Sequence, residues 1–192
     1  MNSASDGGVH HPAEADLFHD TLSCELALPA DFKLGNGAGR FGAAEALLRG
    51  LAQVEDLRSD EGSEDRSDLP LQLQRMDAKL DLMLVLLGRL ARQNEDGLPL
   101  RPLRWSRNGV RLELGSRSNA PSGAAGLLRL QPSDWLPDYL ELPVRVLAEA
   151  AAAGSFHLWL RFETQPPGLQ EALERHLFRL HRRQIADSRR AR

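Results

Sequence analysis

An α+β fold is expected: a small antiparallel β-barrel with a long heptad helix inserted early and a second helix appended at the C-terminus. Three observations carry this expectation. Leu73, Met76, Leu80, Met83, Leu87 and Leu90 alternate at spacings of three and four, the a/d pattern of a heptad seam, and Leu69 extends it one step N-terminally. After Asn94 the helical period gives way to short alternating apolar runs separated by turn residues. A last helical period follows Pro166-Pro167-Gly168.

The bulk composition narrows the function classes. The chain has 192 residues, 42% of them hydrophobic, which is enough for one domain with a core and an extension. Its single cysteine, Cys24, excludes an internal disulfide and supplies no metal cluster, and neither a metal nor a cofactor is expected. Residues 1–20 contain Asp6, Glu14, Asp16 and Asp20 and no apolar stretch of the kind that directs secretion, so a cytoplasmic location is expected. The net charge of −3 is unevenly divided: residues 1–94 carry −7 and residues 95–192 carry +4. Such a split suits head-to-tail contacts or an acidic partner and does not by itself imply nucleic acid.

Residues 1–16 are small, polar and glycine-bearing and are expected to be disordered, with the domain running over 17–192. His10 and His11 form a pair with no third ligand nearby. Thr21–Leu28 alternates Leu22, Cys24, Leu26 and Leu28 against Ser23 and Glu25, a strand that points Cys24 inward; a catalytic thiol partnered by His19 is the rarer alternative. Pro29–Gly42 reads as a loop. Its Gly37, Gly39 and Gly42 fit G-x-G-x-x-G, but Pro29–Asn36 separates them from the strand and no βαβ unit follows, so a linker is expected in place of a nucleotide cradle.

A helical insertion is expected over 43–94. Ala43–Leu57 places Leu47, Leu48, Leu51 and Val54 on one face. Residues 58–68 are a charged linker ending in Asp68, a suitable cap for the heptad helix over 69–94, which would be on the order of 38 Å long at 1.5 Å per residue. Leu82, Leu84, Val85 and Leu86 add a second apolar stripe beside the seam. A helix apolar on more than one face has to be covered on more than one face, so it is expected to pack on its own domain and on copies of itself. Asp77, Lys79, Asp81 and Arg89 interrupt it too often for a membrane span.

Strands are expected at Leu98–Trp105, Val110–Leu114, Leu127–Pro132, Leu140–Glu149 and Ser155–Glu163. The first two flank Ser106-Arg107-Asn108-Gly109, and Asn-Gly between alternating residues is a strong hairpin signal. The last alternates Phe156, Leu158, Leu160 and Phe162 against His157, Trp159 and Arg161, which leaves His157 on the exposed face. The C-terminal helix over 167–188 lines up Leu169, Leu173, Leu177 and Leu180 and ends in arginines that suit a helix C-terminus. A single-strand stacking platform is not expected.

The run RMDAKLDLMLVLLGRL followed by LPLRPLRWSRNGVRLEL resembles the atypical, tetramer-forming PilZ domain of bacterial cyclic di-GMP signalling. The resemblance spans about Thr21–Ile185 and rests on the heptad helix, the Ser-x-x-Gly turn and the order of strands around them. It implies a PilZ-like barrel whose inserted helix self-associates, as a homotetramer, through Leu69, Leu73, Met76, Leu80, Met83, Leu87 and Leu90. It also implies comparison with the two ligand motifs of typical PilZ domains, an RxxxR ahead of the barrel and a [DN]xSxxG on the following strands. Arginine supplies bidentate donors to phosphate and guanine, the acidic or amide residue reads the guanine edge, and the glycine permits the turn. Here Ser106 and Gly109 match the second motif, but its first position is Arg104; the first motif is missing, since no arginine precedes Arg40.

The leading expectation is therefore a non-enzymatic signalling and assembly protein that self-associates, binds partner proteins and binds cyclic di-GMP weakly at most. A second reading is a cyclic di-GMP receptor with a rearranged site built from Arg104, Arg107 and Arg111 around Ser106, Asn108 and Gly109. A third is nucleic-acid binding through the C-terminal arginines. Catalysis is not expected, because no nucleophile with its base and no convergent set of acids is recognisable.

Overall fold

The computed structural model describes residues 11–60, 97–133, 136 and 138–190, together with Gln72, Leu73, Met76, Lys79, Leu80 and Met83. The chain forms α1 (Pro12–Phe18), β1 (Ser23–Leu34), α2 (Phe41–Asp60), β2 (Leu100–Ser106), β3 (Gly109–Leu114), β4 (Ala125–Leu130), β5 (Leu140–Ala152), β6 (Ser155–Phe162) and α3 (Pro167–Arg190). All strand pairs are antiparallel, and the ring runs β1-β2-β3-β6-β5-β4 and returns to β1.

Closure depends on β1, which is longer than its alternation predicts. Ser23–Pro29 pairs with β2, and Ala30–Leu34 pairs with β4. The expected loop at Pro29 is therefore strand as far as Leu34. Pro29 is tolerated because it sits where β1 changes partners, and its carbonyl still accepts from the Gln131 N–H at 2.9 Å. Pairing with two partners overrides the local turn chemistry of the proline.

The inside of the ring is filled by the residues whose alternation marks them: Trp105, Val110, Leu112, Leu128, Leu130, Leu142, Val144, Leu158 and Leu160 are all buried. Cys24 points inward as expected, 1% exposed, and burial raises its thiol pKa. Helices α2 and α3 pack on one another and on this core through Leu47, Leu48 and Leu51 on one side and Leu169, Leu173 and Leu177 on the other. The glycine-bearing loop between β1 and α2 lies against β5: a Cβ at Gly39 would meet Pro143 Cδ at 2.2 Å. That glycine is required by close packing against β5.

The N-terminus departs from expectation. Of the disordered tail expected over 1–16, residues 1–10 lie outside the described residues, and from Pro12 the chain forms α1 instead. His11 is its N-cap, accepting from the Ala13 N–H, and Pro12 occupies the first helical position. The expected heptad helix lies mostly outside the described residues, Leu69, Leu87 and Leu90 included. The six described positions within it are helical and exposed.

His176 of α3 is a buried polar group within this core. Its ring lies 5.4 Å from that of Trp105, and its Nε2–H donates to the Pro132 carbonyl at 3.1 Å. Burial lowers its pKa from 6.5 to about 4; the Pro132 bond opposes the shift, and Arg179 and Arg183 add to it. A histidine depressed in the folded state binds its proton more readily when unfolded. Its contribution to stability is complete above the unfolded value of 6.5 and is lost as pH falls toward 4. Between pH 7 and pH 5 the wild type should lose about 2 kcal/mol of unfolding free energy relative to His176→Gln, read from urea midpoints at the two pH values.

Candidate functional site

Strand alternation gives the ring an outer face, and one sector of that face is built over. Along β2, β3 and β6 the outward residues are Arg104 and Ser106, Gly109 and Arg111, and His157, Trp159 and Arg161. The register sets Arg104 opposite Arg111 and Arg111 opposite Trp159. Helix α1 lies on this sector. Ala13, Leu17 and Phe18 bury against Trp159, with Leu147, Ala148 and Ala150 at the margin. A bulge at Leu147, between Val146 and Ala148 of β5, brings these residues to the outside. Trp159 is outward-facing and yet 0% exposed.

Charges complete the contact. Two arginines opposite each other on neighbouring strands repel unless an anion lies between them. Glu14 of α1 supplies it: one carboxylate oxygen is 3.2 Å from Arg104 Nη1 and the other pairs with Arg111 Nη1. Glu25 of β1 adds a second anion, 3.6 Å from Arg111 Nη2. Asp16 pairs with Arg161 at 3.1 Å. The Arg104 guanidinium also lies 4.4 Å over the Phe18 ring, and the His11 ring stacks on Trp159 with centroids 4.7 Å apart. His157, beside them, has its pKa lowered by burial first and by Arg111 second, with Glu113 and Glu14 opposing.

Most of the residues compared in the sequence with a ligand motif are engaged in the same contact. Ser106 is fully buried; its hydroxyl donates to the Leu17 carbonyl at 2.7 Å and accepts from the Asn108 N–H at 3.1 Å. Asn108 Nδ2 donates to the same carbonyl at 3.4 Å. A Cβ on Gly109 would stand 2.1 Å from the Leu160 carbonyl oxygen and 2.9 Å from Leu17 Cδ2, so no larger residue fits. Arg104 and Arg111 are brought together. Arg107 is not: it sits at the hairpin turn and pairs with Glu174 of α3 at 3.0 Å, away from the α1 face.

Three arginines of α3 are likewise engaged. Arg175 pairs with Glu171, Arg179 with Asp56 and Arg183 with the buried Glu55, at 2.6–3.0 Å. These ion pairs neutralise part of the basic C-terminal helix, and the Arg179–Asp56 and Arg183–Glu55 pairs fasten α3 to α2. Among the described residues no group of three or more His, Cys, Asp or Glu is placed to hold a metal. None of the described helices is long and apolar enough to cross a membrane.

A second feature is apolar and uncovered. Leu73, Met76, Leu80 and Met83, the described members of the predicted seam, are 61%, 60%, 52% and 59% exposed in the single chain. Four large apolar side chains at a/d spacing, all turned to water, are what an unpaired heptad surface presents.

Sequence reasoning missed Glu14, Leu17, Phe18 and Trp159 as members of one site. The signal was present in the Leu17-Phe18 pair, preceded by Pro12 and the helix-forming run Ala-Glu-Ala-Asp, and in a tryptophan placed on the polar side of β6.

A small antiparallel ring flanked by helices, with a Ser-x-x-Gly hairpin on its face, defines a PilZ-type signalling domain. The model of the atypical PilZ domain, a cyclic di-GMP receptor, matches residues 48–190, and the chain belongs to that family. It is 57% identical to a pathogenic protein from Xanthomonas campestris, over 91% of this chain and 96% of that one, with a TM-score of 0.77. That crystal structure is described as a new tetrameric PilZ domain self-assembled via an unusual helical bundle. The inhibitor of motility of Bacillus subtilis aligns over 46% of this chain and 43% of its own at 20% identity, with a TM-score of 0.37, too low to carry an argument. No curated protein sequence matches.

Glu14→Gln keeps the shape of the α1 contact and removes the anion between two half-buried guanidinium groups. It should destabilise the chain by roughly 1–3 kcal/mol. A double-mutant cycle with Arg111→Met, read from urea midpoints, should show a coupling above about 0.5 kcal/mol that shrinks with added salt.

Proposed function

We propose that this protein is a non-enzymatic signalling and assembly component of the PilZ type. It forms a homotetramer through a heptad helix over 69–94 and uses its barrel to meet partner proteins. The single observation that carries this reading is the exposure of Leu73, Met76, Leu80 and Met83, which leaves the described part of the seam unburied within one copy. The relative from Xanthomonas campestris, whose tetramer is described as built by a helical bundle, supports the same arrangement here. Leu69, Leu87 and Leu90 continue the seam on this reading.

The face that corresponds to the ligand motif argues for weak cyclic di-GMP binding at most. Arg104 is a donor where the motif requires an acceptor, its partner Arg111 shares Glu14 with it, and Ser106 is buried under Leu17. A receptor with a rearranged arginine site is the second reading. It draws on the juxtaposition of Arg104 and Arg111, and it loses Arg107 to the pair with Glu174. Nucleic-acid binding through α3 is weakened by the ion pairs of Arg175, Arg179 and Arg183.

Light scattering tests the leading reading. The wild type should have the mass of four chains, and Leu80→Asp with Leu87→Asp should reduce it to one chain while circular dichroism stays that of a folded β-rich protein. A wild-type monomer would overturn the reading. Titration calorimetry with cyclic di-GMP should show no saturation in the micromolar range; saturable binding abolished by Arg104→Ala would establish the second reading instead.

A further inference from the structure

The surface beneath α1 has the character of a recognition site that is already occupied. We propose that the outer face of β2, β3 and β6 is a docking groove for an acidic amphipathic helix of a partner protein, and that α1 is the chain's own occupant, which such a helix replaces. This deepens the function proposed above by naming the face of the barrel that meets a partner.

The chemistry of the occupant follows from the contacts. Three outward arginines, Arg104, Arg111 and Arg161, border a tryptophan that only an added element can cover. Helix α1 answers with Glu14 and Asp16 for the arginines and with Ala13, Leu17 and Phe18 for Trp159. Apolar anchors at i, i+4 and i+5 beside acids form the pattern by which an amphipathic helix is read in a groove. The charge match extends beyond the contacts: residues 1–20 contain four acidic residues and no lysine or arginine.

Helix α1 is suited to leaving. It has seven residues, below the ~12–15 at which an isolated helix becomes even marginal in water, so its helicity is lent by the groove. It adjoins β1 through His19–Leu22, where Asp20 holds a left-handed φ of 53°. The fit is also incomplete. The indole N–H of Trp159 is buried and meets no acceptor among the described residues. The amide of Asn108 reaches the Leu17 carbonyl only at 3.4 Å. Because α1 is tethered, it competes at high effective concentration, and a partner helix binds more weakly to the wild type than to a chain whose α1 is released.

The test uses the full chain and a fluorescein-labelled peptide of residues 9–20, VHHPAEADLFHD, as the probe helix. Peptide anisotropy is followed against the wild type, Leu17→Asp, which frees the groove, and Glu14→Gln, which only removes the bridging anion. Leu17→Asp should bind the peptide about tenfold or more tightly than the wild type, as removal of a tethered competitor requires. Adding Arg111→Glu should abolish that binding, and a peptide carrying Glu14→Arg should restore it. If Leu17→Asp is shown unfolded by circular dichroism, Glu14→Gln carries the comparison, with a smaller gain expected in the same direction. Equal binding to wild type and variants, no binding to either variant, or binding indifferent to the charge swap would overturn the proposal. A wild-type assembly whose mass falls on Leu17→Asp would put a second copy's α1 in the groove and overturn it as well. Light scattering on the same samples separates the two readings: intact tetramers that do not bind the peptide sink the groove alone, and monomers that bind it sink the assembly alone.

Discussion

Every strand of a closed ring has an inside and an outside, and the fold is governed by what must be done with the outside. The interior is settled by alternation, since each strand turns every second residue inward and those residues are large and apolar. Closure removes the sheet edges but does nothing for the outer face. Here that face carries more than solvent tolerates. One sector is covered by α1, which buries Trp159 and bridges Arg104 to Arg111. At the core's other margin α2 and α3 pack through leucines and are held by the Arg179–Asp56 and Arg183–Glu55 pairs. The described heptad residues have no such cover within one chain.

These surfaces differ in how strongly they are held. Helices α2 and α3 belong to the same cluster of buried residues as the ring, so separating them would open the main core. The α1 contact is a distinct, smaller cluster outside the ring, fastened by a carboxylate shared between two guanidinium groups. A contact of that size opens more easily than the core, and charge-assisted contacts give selectivity by charge as well as affinity. The proposed seam differs in kind: Leu73, Met76, Leu80 and Met83 are apolar, so in the proposed assembly burial would drive association and side-chain spacing would set the register.

The ring and the C-terminal helix were largely legible in the sequence because each rests on a local period. The hairpin around Asn108-Gly109 was read from its turn residues, and the inward set of β6 from simple alternation. What escaped depends on contacts distant in sequence. Strand β1 continues through Pro29 because β4, some hundred residues away, pairs with its second half. Helix α1 is too short to announce itself by periodicity, and its partners Arg104, Arg111 and Trp159 lie roughly 90 to 150 positions further on. Alternation set Trp159 beside His157 on the outward side of β6 without foretelling its burial, because it tells which side of the sheet a residue is on, not whether another element covers that side.

The form of the Ser-x-x-Gly hairpin is fixed by its own turn and by the helix that covers it. Ser106 now caps the turn and ties it to the Leu17 carbonyl; Gly109 is fixed by the carbonyl of Leu160, against which a Cβ has no room. Both residues are required by the hairpin and its cover whether or not a ligand is present. Arg104 has no such constraint from the turn, and it is the position that departs from the motif. A cation there, facing Arg111, makes the surface demand a carboxylate. Glu14 meets that demand from within the chain. The arginine pair and the helix over it therefore form one electrostatic unit, because either alone would leave a half-buried charge without its partner.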